Sequence, residues 1–441
     1  MSSTRFAPVE SLRGSLRPPS DKSISHRAAL IAAMGEGWTH VEGYLDAADT
    51  WSTLNAVEAL GAEVIEQKLG KAGGVAGARG LQLAIRGVGL RNLKPVDIDV
   101  GNAGTLLRLL PGWLAGQSDG NWTLDGDESI RRRPVDRIAI PLREMGAYLN
   151  AREDRLPPLE IRGAQLRGIT YEMPIASAQV KSCLLFAGLL ADRETRVVEP
   201  APSRNHTEVM LKAAGVSVRR EEDTNAVVIK PAEQLEPDDL LVPADISSAA
   251  FFLAAAVLVP GSEVRLDWVG VNPTRTGFLS ILERMGATIE REKEAESGGE
   301  AIATLRVRSA PLQATEVGGA EIPLAIDELP LVALAACFAE GTTTIRDAEE
   351  LRRKESDRIE TVTAALRALG GQIESTADGM VVEGTGGLAG GSIESHGDHR
   401  IAMLGAVAGL ASREGVEVHG MNAAAVSYPG FERDLRSLTA R

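Results

Sequence analysis

Cationic and small polar residues occur in this sequence where helices are expected to begin. The run PPSDKSISHR, residues 18–27, combines prolines that resist helix with Asp and Ser residues that cap one, and an apolar stretch follows it. A helix start presents free backbone N–H groups and the positive end of the helix dipole, to which Lys22 and Arg27 add full charges. Together with Ser23 they predict a site for phosphate or carboxylate, with an ordinary capped helix and solvated cations as the alternative.

Further motifs place similar residues at predicted helix starts. GNAGTLLRLL opens a helix near Gly104, and its glycines would let a ligand approach the backbone, although packing alone could require them. GDESIRRRPVDR puts three arginines, ending with Arg133, before Pro134, a favoured first residue of a helix. A bound anion would offset cations that oppose the dipole, and a solvated cluster is the alternative. SAQVK and SRNHTE add Ser177, Ala178, Gln179, Lys181, Ser203, Arg204 and His206.

The second half of the sequence adds acidic residues to this pattern. Asp327 and Glu328 precede a strongly apolar helix, where enclosure would perturb their pKa values, and a plain N-cap is the alternative. The motif LRRKESDRIE carries Glu355, and the spacing of Lys354 and Arg358 predicts that both lie on one face of a helix. The acidic residues could move protons while the cations hold the ligands.

Two histidines, Asp398 and Arg400 lie in HGDHRIAM, at the start of the last apolar helix. No HExxH motif or cysteine set accompanies them, so we expect no metal. The sequence has no GxSxG nucleophile motif, and Cys183 and Cys337 lie in apolar helical runs that would not activate a thiol. The expected chemistry is acid–base and electrostatic, on ligands rich in phosphate and carboxylate, without a cofactor.

The composition excludes several classes of protein. A formal charge of −14 argues against a nucleic-acid partner, because binding phosphates along a strand needs a positive face. Apolar runs such as residues 249–259 are shorter than the roughly 20 residues that cross a membrane, and the N-terminus lacks the apolar region of a signal peptide. Glycine-rich stretches at 71–80 and 384–391 lack nucleotide-loop spacing, and we expect hairpin loops there. A soluble cytoplasmic protein is expected.

Two alternating patterns divide the 441 residues into six α/β repeats. In the first, an amphipathic helix ends at a glycine suited to a left-handed C-cap and a strand follows, at Gly61, Gly146, Gly215, Gly286 and Gly370. In the second, a helix that is apolar nearly all round, and therefore buried, leads into a short strand, beginning near Ser23, Thr105, Ser177, Ser247, Asp327 and Asp398. The chain length favours two domains.

The repeats also predict the domain boundaries. The sixth repeat ends at the helical FERDLRSL without further strands, so we expect residues 6–16 to supply them and to pack with the second half of the chain. Proline and acidic residues at 240–245 are typical of a segment that crosses between domains. The predicted N-terminal domain is 22–243, and the predicted C-terminal domain is 1–21 plus 244–441, with three repeats in each.

Six motifs together resemble the 5-enolpyruvylshikimate-3-phosphate synthase family: PPSDKSISHR, GNAGTLLR, RRPVDR, SAQVK, LRRKESDR and GDHRIAM. The resemblance implies a two-domain α/β fold, each domain having three repeats with parallel buried helices and mixed four-stranded sheets. It implies transfer of the enolpyruvyl group of phosphoenolpyruvate to the 5-hydroxyl of shikimate 3-phosphate, with phosphate released through a tetrahedral intermediate. The reaction belongs to the shikimate pathway to chorismate and aromatic amino acids. We expect a monomer without metal or organic cofactor.

The resemblance also implies roles for individual residues. Shikimate 3-phosphate would be bound by Lys22, Ser23, Arg27, Ser177, Ala178, Gln179, Ser203, Arg204, Asp327 and Lys354. Phosphoenolpyruvate would be bound by Lys22, Gly104, Arg133, Gln179, Arg358 and Arg400. Asp327 would take the proton of the 5-hydroxyl, Glu355 would exchange a proton with the methylene carbon, and Lys22 would touch both ligands. Because one carboxylate gains a proton as the other loses one, their environments should push their pKa values apart.

Some features depart from the better-known members. SAQVK, RNHTE and NPTR resemble the subgroup often called class II, which includes glyphosate-tolerant forms, and Val426 stands where the first subgroup has a Lys. Some tolerant members carry Ala at the position of Gly104, so sensitivity to glyphosate does not follow from the subgroup. Two alternatives are the related UDP-N-acetylglucosamine enolpyruvyl transferase, which typically uses a loop cysteine, and a non-catalytic anion-binding protein of the same fold.

Overall fold

The structure, a computed structural model, describes residues 3–67, 79–91 and 93–439. Its contacts divide the chain into two compact units. The N-terminal unit comprises Ser20–Pro243 and Glu296–Ala301, and the C-terminal unit comprises Met1–Pro19, Ala244–Ala295 and Ile302–Arg441. Within the described ranges, no helix combines the length and the apolar character needed to cross a membrane.

The chain begins with two strands that belong to the C-terminal unit, β1 (Ser3–Phe6) and β2 (Arg13–Leu16), and the N-terminal unit comes after them in sequence. Its first repeat contains α1 (Lys22–Met34), β3 (Trp38–Tyr44), α2 (Ala48–Leu60), β4 (Glu63–Glu66) and β5 (Leu81–Arg86). Its second contains β6 (Asp97–Asp99), α3 (Gly104–Ala115), β7 (Asn121–Asp125), α4 (Asp136–Glu144), β8 (Tyr148–Arg152) and β9 (Leu156–Arg162). Its third contains β10 (Thr170–Glu172), α5 (Ala178–Gly188), β11 (Thr195–Val198), α6 (His206–Ala213), β12 (Val218–Glu221), β13 (Ala226–Ile229) and β14 (Leu240–Leu241).

The sheets of this unit share one arrangement. Their strand orders are β14-β3-β5-β4, β6-β7-β9-β8 and β10-β11-β13-β12. In each, the first two strands are parallel and the other neighbours are antiparallel. Strand β14, the last strand of the third repeat, pairs with β3 of the first repeat, with Leu240 opposite Val41. This pairing joins the last repeat of the unit to the first.

The C-terminal unit is built in the same way. Its first repeat contains α7 (Ile246–Leu258), β15 (Glu263–Gly270), α8 (Gly277–Arg284), β16 (Thr288–Ser297) and β17 (Glu300–Arg308). Its second contains β18 (Glu316–Val317), α9 (Ile322–Ala325), α10 (Leu329–Ala336), β19 (Glu340–Ile345), α11 (Arg358–Ala368), β20 (Gln372–Ser375) and β21 (Met380–Thr385). Its third contains β22 (Gly391–Glu394), α12 (His399–Ala411), β23 (Val416–His419) and α13 (Phe431–Thr439).

The N-terminal strands complete two sheets of this unit. Strand β2 is parallel to β15 in the sheet β16-β17-β15-β2, and β1 is antiparallel to β23, with Ser3 opposite His419. The prediction that the N-terminal segment packs with the second half of the chain is therefore confirmed. The prediction that residues 6–16 supply strands to the sixth repeat is wrong, because β2 joins the sheet of α7 and β15 and the strand added to the sixth sheet is β1, which ends at Phe6. Among the described residues the sixth sheet, β1-β23-β22, has three strands, whereas β18-β19-β21-β20 has four.

The repeated helix patterns are also confirmed. The six apolar helices α1, α3, α5, α7, α10 and α12 are buried along most of their length and begin within two residues of the predicted positions. The glycines that end the amphipathic helices all have positive φ, between 83° and 122°. Gly112 of α3 lies so close to α5 that a Cβ would overlap the carbonyl oxygen of Cys183, so this pair of buried helices needs glycine at the contact.

The prediction for the glycine-rich stretches has a mixed outcome. Residues 71–78 lie outside the described residues. Residues 384–391 join β21 of the fifth sheet to β22 of the sixth, and these strands do not pair with each other. The hairpin interpretation of this stretch is wrong, because the strand that follows it is the parallel edge strand of the next repeat.

Candidate active site

The predicted site residues divide between the two units, and the members in each unit are given one name below. The Lys22 cluster of the N-terminal unit contains Lys22, Ser23, Arg27, Gly104, Arg133, Ser177, Ala178, Gln179, Ser203 and Arg204. The Asp327 cluster of the C-terminal unit contains Asp327, Lys354, Glu355, Arg358 and Arg400. In both clusters, starts of buried helices position many of the side chains.

Lys22 is the first residue of α1, as predicted. Asp21 caps this helix, because its carboxylate accepts a hydrogen bond of 2.9 Å from the backbone N–H of Ile24. Lys22 Nζ lies 3.0 Å from Asp49 Oδ2, and 55% of the Lys22 side chain is exposed. The ammonium group is therefore oriented by Asp49 but still accessible to a ligand.

Arg27 is buried, and its described hydrogen bonds go to neutral oxygen atoms. It donates from Nε to Thr207 Oγ1 (2.7 Å), from Nη2 to Ser182 Oγ (2.9 Å) and from Nη1 to the carbonyl oxygen of Ser23 (2.9 Å). Burial lowers the pKa of Arg27 to about 10, with Asp21 and Glu208 acting in the opposite direction, so it stays protonated at neutral pH. A buried cation held by neutral oxygens favours the arrival of an anion.

A buried ion-pair network joins the start of α5 to Ser203, which lies in the loop between β11 and α6. Ser177 caps α5 by accepting from the Val180 N–H. Lys181 Nζ lies 2.9 Å from Glu199 Oε2 and 2.7 Å from Glu208 Oε1. Glu199 also accepts from the backbone N–H and hydroxyl of Ser203. Lys181 is thus neutralised by protein carboxylates, and the network fixes Ser203 relative to α5.

A second group of cations surrounds the start of α3. The Arg133 guanidinium approaches Gly104 so closely that a Cβ there would overlap Nη1. Arg108 donates to Gln179 Oε1 (3.0 Å), and the Gln179 amide donates to Thr105 Oγ1 (3.3 Å). Burial, followed by the charge of Arg133, lowers the pKa of Arg108 to about 10. The sequence analysis missed Arg108, although its position one helical turn after Gly104 places it on the same face.

The three arginines before Pro134 have different partners, contrary to the single anion site that the sequence predicts. Arg131 forms an ion pair with Asp125 (2.6 Å) and Arg132 forms one with Glu128, so both have acidic protein partners. Arg133 alone turns towards Gly104. The expectation that Pro134 begins a helix is wrong, because a short 3₁₀ helix, Ile130–Arg132, precedes it and α4 begins later.

In the C-terminal unit, three cations converge on Asp327. Its Oδ1 lies 3.6 Å from Lys354 Nζ and 3.6 Å from Arg358 Nη1, and its Oδ2 lies 4.0 Å from Arg400 Nη2. Arg400 also donates to the backbone carbonyl oxygen of Asp327 (2.8 Å). The Asp327 side chain is 17% exposed, so a ligand can reach a carboxylate that lies among positive charges.

The predicted shared helical face of Lys354 and Arg358 is wrong. A 3₁₀ helix spans Glu349–Arg353, Lys354 has an extended backbone, and α11 begins only at Arg358. Asp357 caps α11 by accepting from the Glu360 N–H, which fixes this later start. The turn nevertheless directs both cations towards one carboxylate.

The acidic residues occupy different environments. Glu328 is buried and accepts hydrogen bonds from the hydroxyl of Ser247 and from Arg400 Nη1 (3.3 Å), and its side chain does not cap α10, so the plain N-cap interpretation is wrong. Glu355 is 54% exposed and accepts from Arg358 Nη2 (2.5 Å). In the described contacts, Asp327 thus lies among Lys354, Arg358 and Arg400, whereas the more exposed Glu355 contacts Arg358.

Asp398 anchors the cationic side chains of the second cluster. It caps α12 through the Arg400 N–H (2.9 Å) and accepts from Arg358 Nε (2.9 Å). Burial alone would raise the pKa of Asp398, but the hydrogen bond and charge of Arg358 hold it below its usual value.

Burial and then the charge of Arg400 lower the pKa of His399 to about 4, so this ring is neutral. In the described part of the chain, no group of three or more His, Cys, Asp or Glu side chains could hold a metal ion.

The two cysteines are unsuited to covalent catalysis. Cys183 and Cys337 are both buried. Burial raises the pKa of Cys183 well above its usual value and that of Cys337 to about 12. A thiolate nucleophile is therefore disfavoured at both positions. Val426 is 78% exposed at the end of a 3₁₀ helix, Met421–Val426.

Comparisons with known proteins identify the family of the chain. The family model described as EPSP synthase (3-phosphoshikimate 1-carboxyvinyltransferase) matches residues 6–435. The 3-phosphoshikimate 1-carboxyvinyltransferase of Geobacter sulfurreducens is 47% identical over 437 residues, with 98% of each chain covered. The protein of the same name from Gloeobacter violaceus is 49% identical over 433 residues, covering 98% of this chain and 97% of that one.

A solved structure gives the same answer for the fold. EPSP synthase from Acinetobacter baumannii matches with a TM-score of 0.90 and 41% identity, covering 99% of this chain and 98% of that one. This likeness confirms the α/β fold class that the sequence predicted. The chain therefore belongs to the EPSP synthase (3-phosphoshikimate 1-carboxyvinyltransferase) family.

Proposed function

We propose that this protein catalyses the reaction of its family in the shikimate pathway, transferring the enolpyruvyl group of phosphoenolpyruvate to the 5-hydroxyl of shikimate 3-phosphate. The products are 5-enolpyruvylshikimate 3-phosphate and phosphate, formed through a tetrahedral intermediate. Identities of 47% and 49% over nearly the whole chain support this reaction. The cations of both clusters support ligands that carry phosphate and carboxylate groups.

The surroundings of Asp327 carry the proposal. Lys354, Arg358 and Arg400 each lie within 4.0 Å of its carboxylate. Cations in this arrangement can hold the anionic groups of the substrates while Asp327 accepts the proton of the attacking hydroxyl. A protein that only bound anions would gain nothing from a carboxylate at this position.

The two clusters would divide the substrates' groups between them. Shikimate 3-phosphate is assigned to Lys22, Ser23, Arg27, Ser177, Ala178, Gln179, Ser203, Arg204, Asp327 and Lys354. Phosphoenolpyruvate is assigned to Lys22, Gly104, Arg133, Gln179, Arg358 and Arg400. The accessible ammonium of Lys22 and the hydrogen-bonded guanidinium of Arg27 support these assignments.

Glu355 is the proposed partner of Asp327 in proton transfer. It would deliver a proton to the methylene carbon of phosphoenolpyruvate while Asp327 removes one from the 5-hydroxyl. Its exposure of 54%, against 17% for Asp327, supports different roles for the two carboxylates. Lys22 would stabilise negative charge on both ligands.

The proposal extends to the organisation of the protein. Residues 22–243 would form the domain that mainly binds shikimate 3-phosphate, and residues 1–21 plus 244–441 would form the domain with the catalytic carboxylates. The protein would act as a cytoplasmic monomer, and light scattering on the purified protein would test the monomer.

One assay separates this function from its alternatives. Phosphoenolpyruvate is mixed with the protein and either shikimate 3-phosphate or UDP-N-acetylglucosamine, and phosphate release is measured. We expect release only with shikimate 3-phosphate, and its absence there would refute the proposal. The buried state of both cysteines supports this outcome, because the alternative transferase typically uses a cysteine in a mobile loop.

A further inference from the structure

The tip of the β16–β17 hairpin is built into the N-terminal unit. This segment, Glu296–Ala301, interrupts sequence that otherwise belongs to the C-terminal unit. Ser297 Oγ accepts a hydrogen bond of 2.7 Å from the backbone N–H of Leu241. Gly299, with φ of +81°, passes so close to α6 that a Cβ would overlap the carbonyl oxygen of Val209. The tip is therefore tightly seated on α6.

Glu300 at this tip forms a buried pair with His206, the first residue of α6. Glu300 Oε1 lies 2.8 Å from His206 Nδ1, and the two side chains are 1% and 2% exposed. Since a carboxylate accepts, Nδ1 carries the hydrogen. Among the described residues, His206 Nε2 is buried without a hydrogen-bond partner. The bond to Glu300 is thus the one described hydrogen bond that fixes the ring.

His206 begins a turn whose next two residues hold other parts of the Lys22 cluster. Thr207 Oγ1 accepts from Arg27 Nε (2.7 Å) and contacts Ser182 Oγ (2.6 Å). Glu208 pairs with the buried Lys181 (2.7 Å). The location of the Arg27 guanidinium therefore depends on where the first turn of α6 lies.

We propose that Glu300 is a positioning residue for substrate binding: by holding His206 it fixes the first turn of α6, and through Thr207 it holds Arg27 where the phosphate of shikimate 3-phosphate binds. The inference rests on the proposed function. Glu300 also carries a negative charge that acts on Arg27, and this charge alone would weaken the binding of an anion. The hydrogen bond and the charge thus have opposite expected effects, which variants can separate.

Two substitutions of equal length separate these effects. Glu300→Gln keeps an acceptor for His206 Nδ1 but removes the charge, whereas Glu300→Met removes both. Calorimetry would give the dissociation constant of shikimate 3-phosphate, and steady-state assays at saturating shikimate 3-phosphate would give the KM for phosphoenolpyruvate. For Glu300→Met we expect the dissociation constant to rise about tenfold, and for Glu300→Gln to stay within about twofold of the wild type or fall. The KM for phosphoenolpyruvate should stay within about twofold in both.

A matched control lies in the same tip. Ser297→Ala removes the bond to Leu241 but leaves the Glu300–His206 pair, so it should leave the affinity for shikimate 3-phosphate unchanged. If Glu300→Met does not fold, Glu300→Ala tests the same loss of the acceptor. Melting temperatures identify a variant that is generally destabilised.

Several results would overturn the inference. These are unchanged affinity in Glu300→Met, a loss in Glu300→Gln as large as in Glu300→Met, an equal loss in Ser297→Ala, or a parallel rise in the KM for phosphoenolpyruvate. Failure of the proposed function would look different, because the wild-type protein would then release no phosphate from its two substrates. Wild-type turnover with unchanged affinity in Glu300→Met would refute only the positioning role.

Discussion

The two clusters hold their buried arginines in opposite ways. Arg27 in the N-terminal unit donates to hydroxyl and carbonyl oxygens. Arg358 in the C-terminal unit contacts the carboxylates of Asp398, Glu355 and Asp327. The charge of Arg27 is therefore available to an incoming phosphate, whereas that of Arg358 is already shared among protein carboxylates.

This difference suits a division between binding and chemistry. An anion that enters the Asp327 cluster must compete with Asp327 for Lys354, Arg358 and Arg400. If the cations turned to a bound ligand, the Asp327 carboxylate would lose stabilising charge and would become a better base, as the proposed function requires. Substrate binding would thus activate the base in one cluster, while the other cluster needs no such exchange.

The largest expected effect comes from removing Lys22, the accessible cation of the Lys22 cluster. Lys22→Ala should abolish measurable turnover, because the ammonium would contact both ligands, and it should leave the fold intact, because the side chain is 55% exposed. Phosphate release measures turnover and circular dichroism checks the fold. Lys212→Ala, in the last turn of α6, is the matched control and should retain wild-type activity. Wild-type rates in Lys22→Ala would refute the assigned role.

The next prediction tests the carboxylate of the other cluster. Asp327→Asn removes the proposed base but leaves Lys354, Arg358 and Arg400 with less protein charge to neutralise them. We expect kcat to fall by about 10²–10⁴-fold while the KM for phosphoenolpyruvate stays equal or falls. Glu374→Gln on β20 serves as a control with an exposed carboxylate. A raised KM with little change in kcat would show that Asp327 binds substrate rather than removing the proton.

Local sequence predicts the helix starts of both clusters well. Asp21, Ser177 and Asp398 cap their helices, and the residues that they position follow directly in the chain. Such caps depend on contacts two or three residues apart, so adjacent residue types are enough to identify them. The same rule corrects the error at Lys354, because the cap at Asp357 starts α11 after it.

Contacts between distant segments were not predictable in this way. Glu300 and His206 are 94 residues apart, and the residues around His206 do not indicate that Glu300 contacts it. The approach of Arg133 to Gly104, and the bond from Arg108 to Gln179, likewise depend on how α3, α4 and α5 pack. Tertiary packing brings such residues together, and the residue types next to each of them in the sequence do not predict these contacts.

A smaller effect is expected from the close approach within the Lys22 cluster. Gly104→Ala would place a Cβ in overlap with Arg133 Nη1, so the guanidinium would have to move. It can do so because it is the flexible end of a long side chain. We expect the KM for phosphoenolpyruvate to rise about tenfold, because the displaced guanidinium would lose roughly one charge-assisted hydrogen bond to this substrate. The affinity for shikimate 3-phosphate should stay unchanged. Gly37→Ala, which has open space around it, is the control. An unchanged KM would separate Arg133 from phosphoenolpyruvate binding.

The same variant addresses glyphosate. Wild type and Gly104→Ala would each be titrated with glyphosate in competition with phosphoenolpyruvate. Because members with Ala at this position include tolerant forms, we expect a higher inhibition constant in the variant. Equal inhibition constants would show that this position does not set the sensitivity of the protein.

The last prediction concerns stability rather than activity, and it rests on a buried neutral histidine beside each cluster. Burial lowers the pKa of His26, beside Lys22, to about 4, as it does for His399 beside Arg400. The unfolded chain takes up these protons first, so stability is unaffected above pH 6.5 and falls as the pH drops from 6.5 towards 4.

His26→Asn should remove this dependence from the Lys22 cluster alone. Between pH 7 and pH 5, the free energy of unfolding of the wild type should fall by about 2 kcal/mol more than that of the variant. Urea titrations at the two pH values measure the difference. Parallel pH profiles for His26→Asn and the wild type would show that the folded state takes up the His26 proton as readily as the unfolded chain does. The His26 ring would then carry a charge beside Lys22 and Asp49 at pH 5, and its burial would not hold it neutral there.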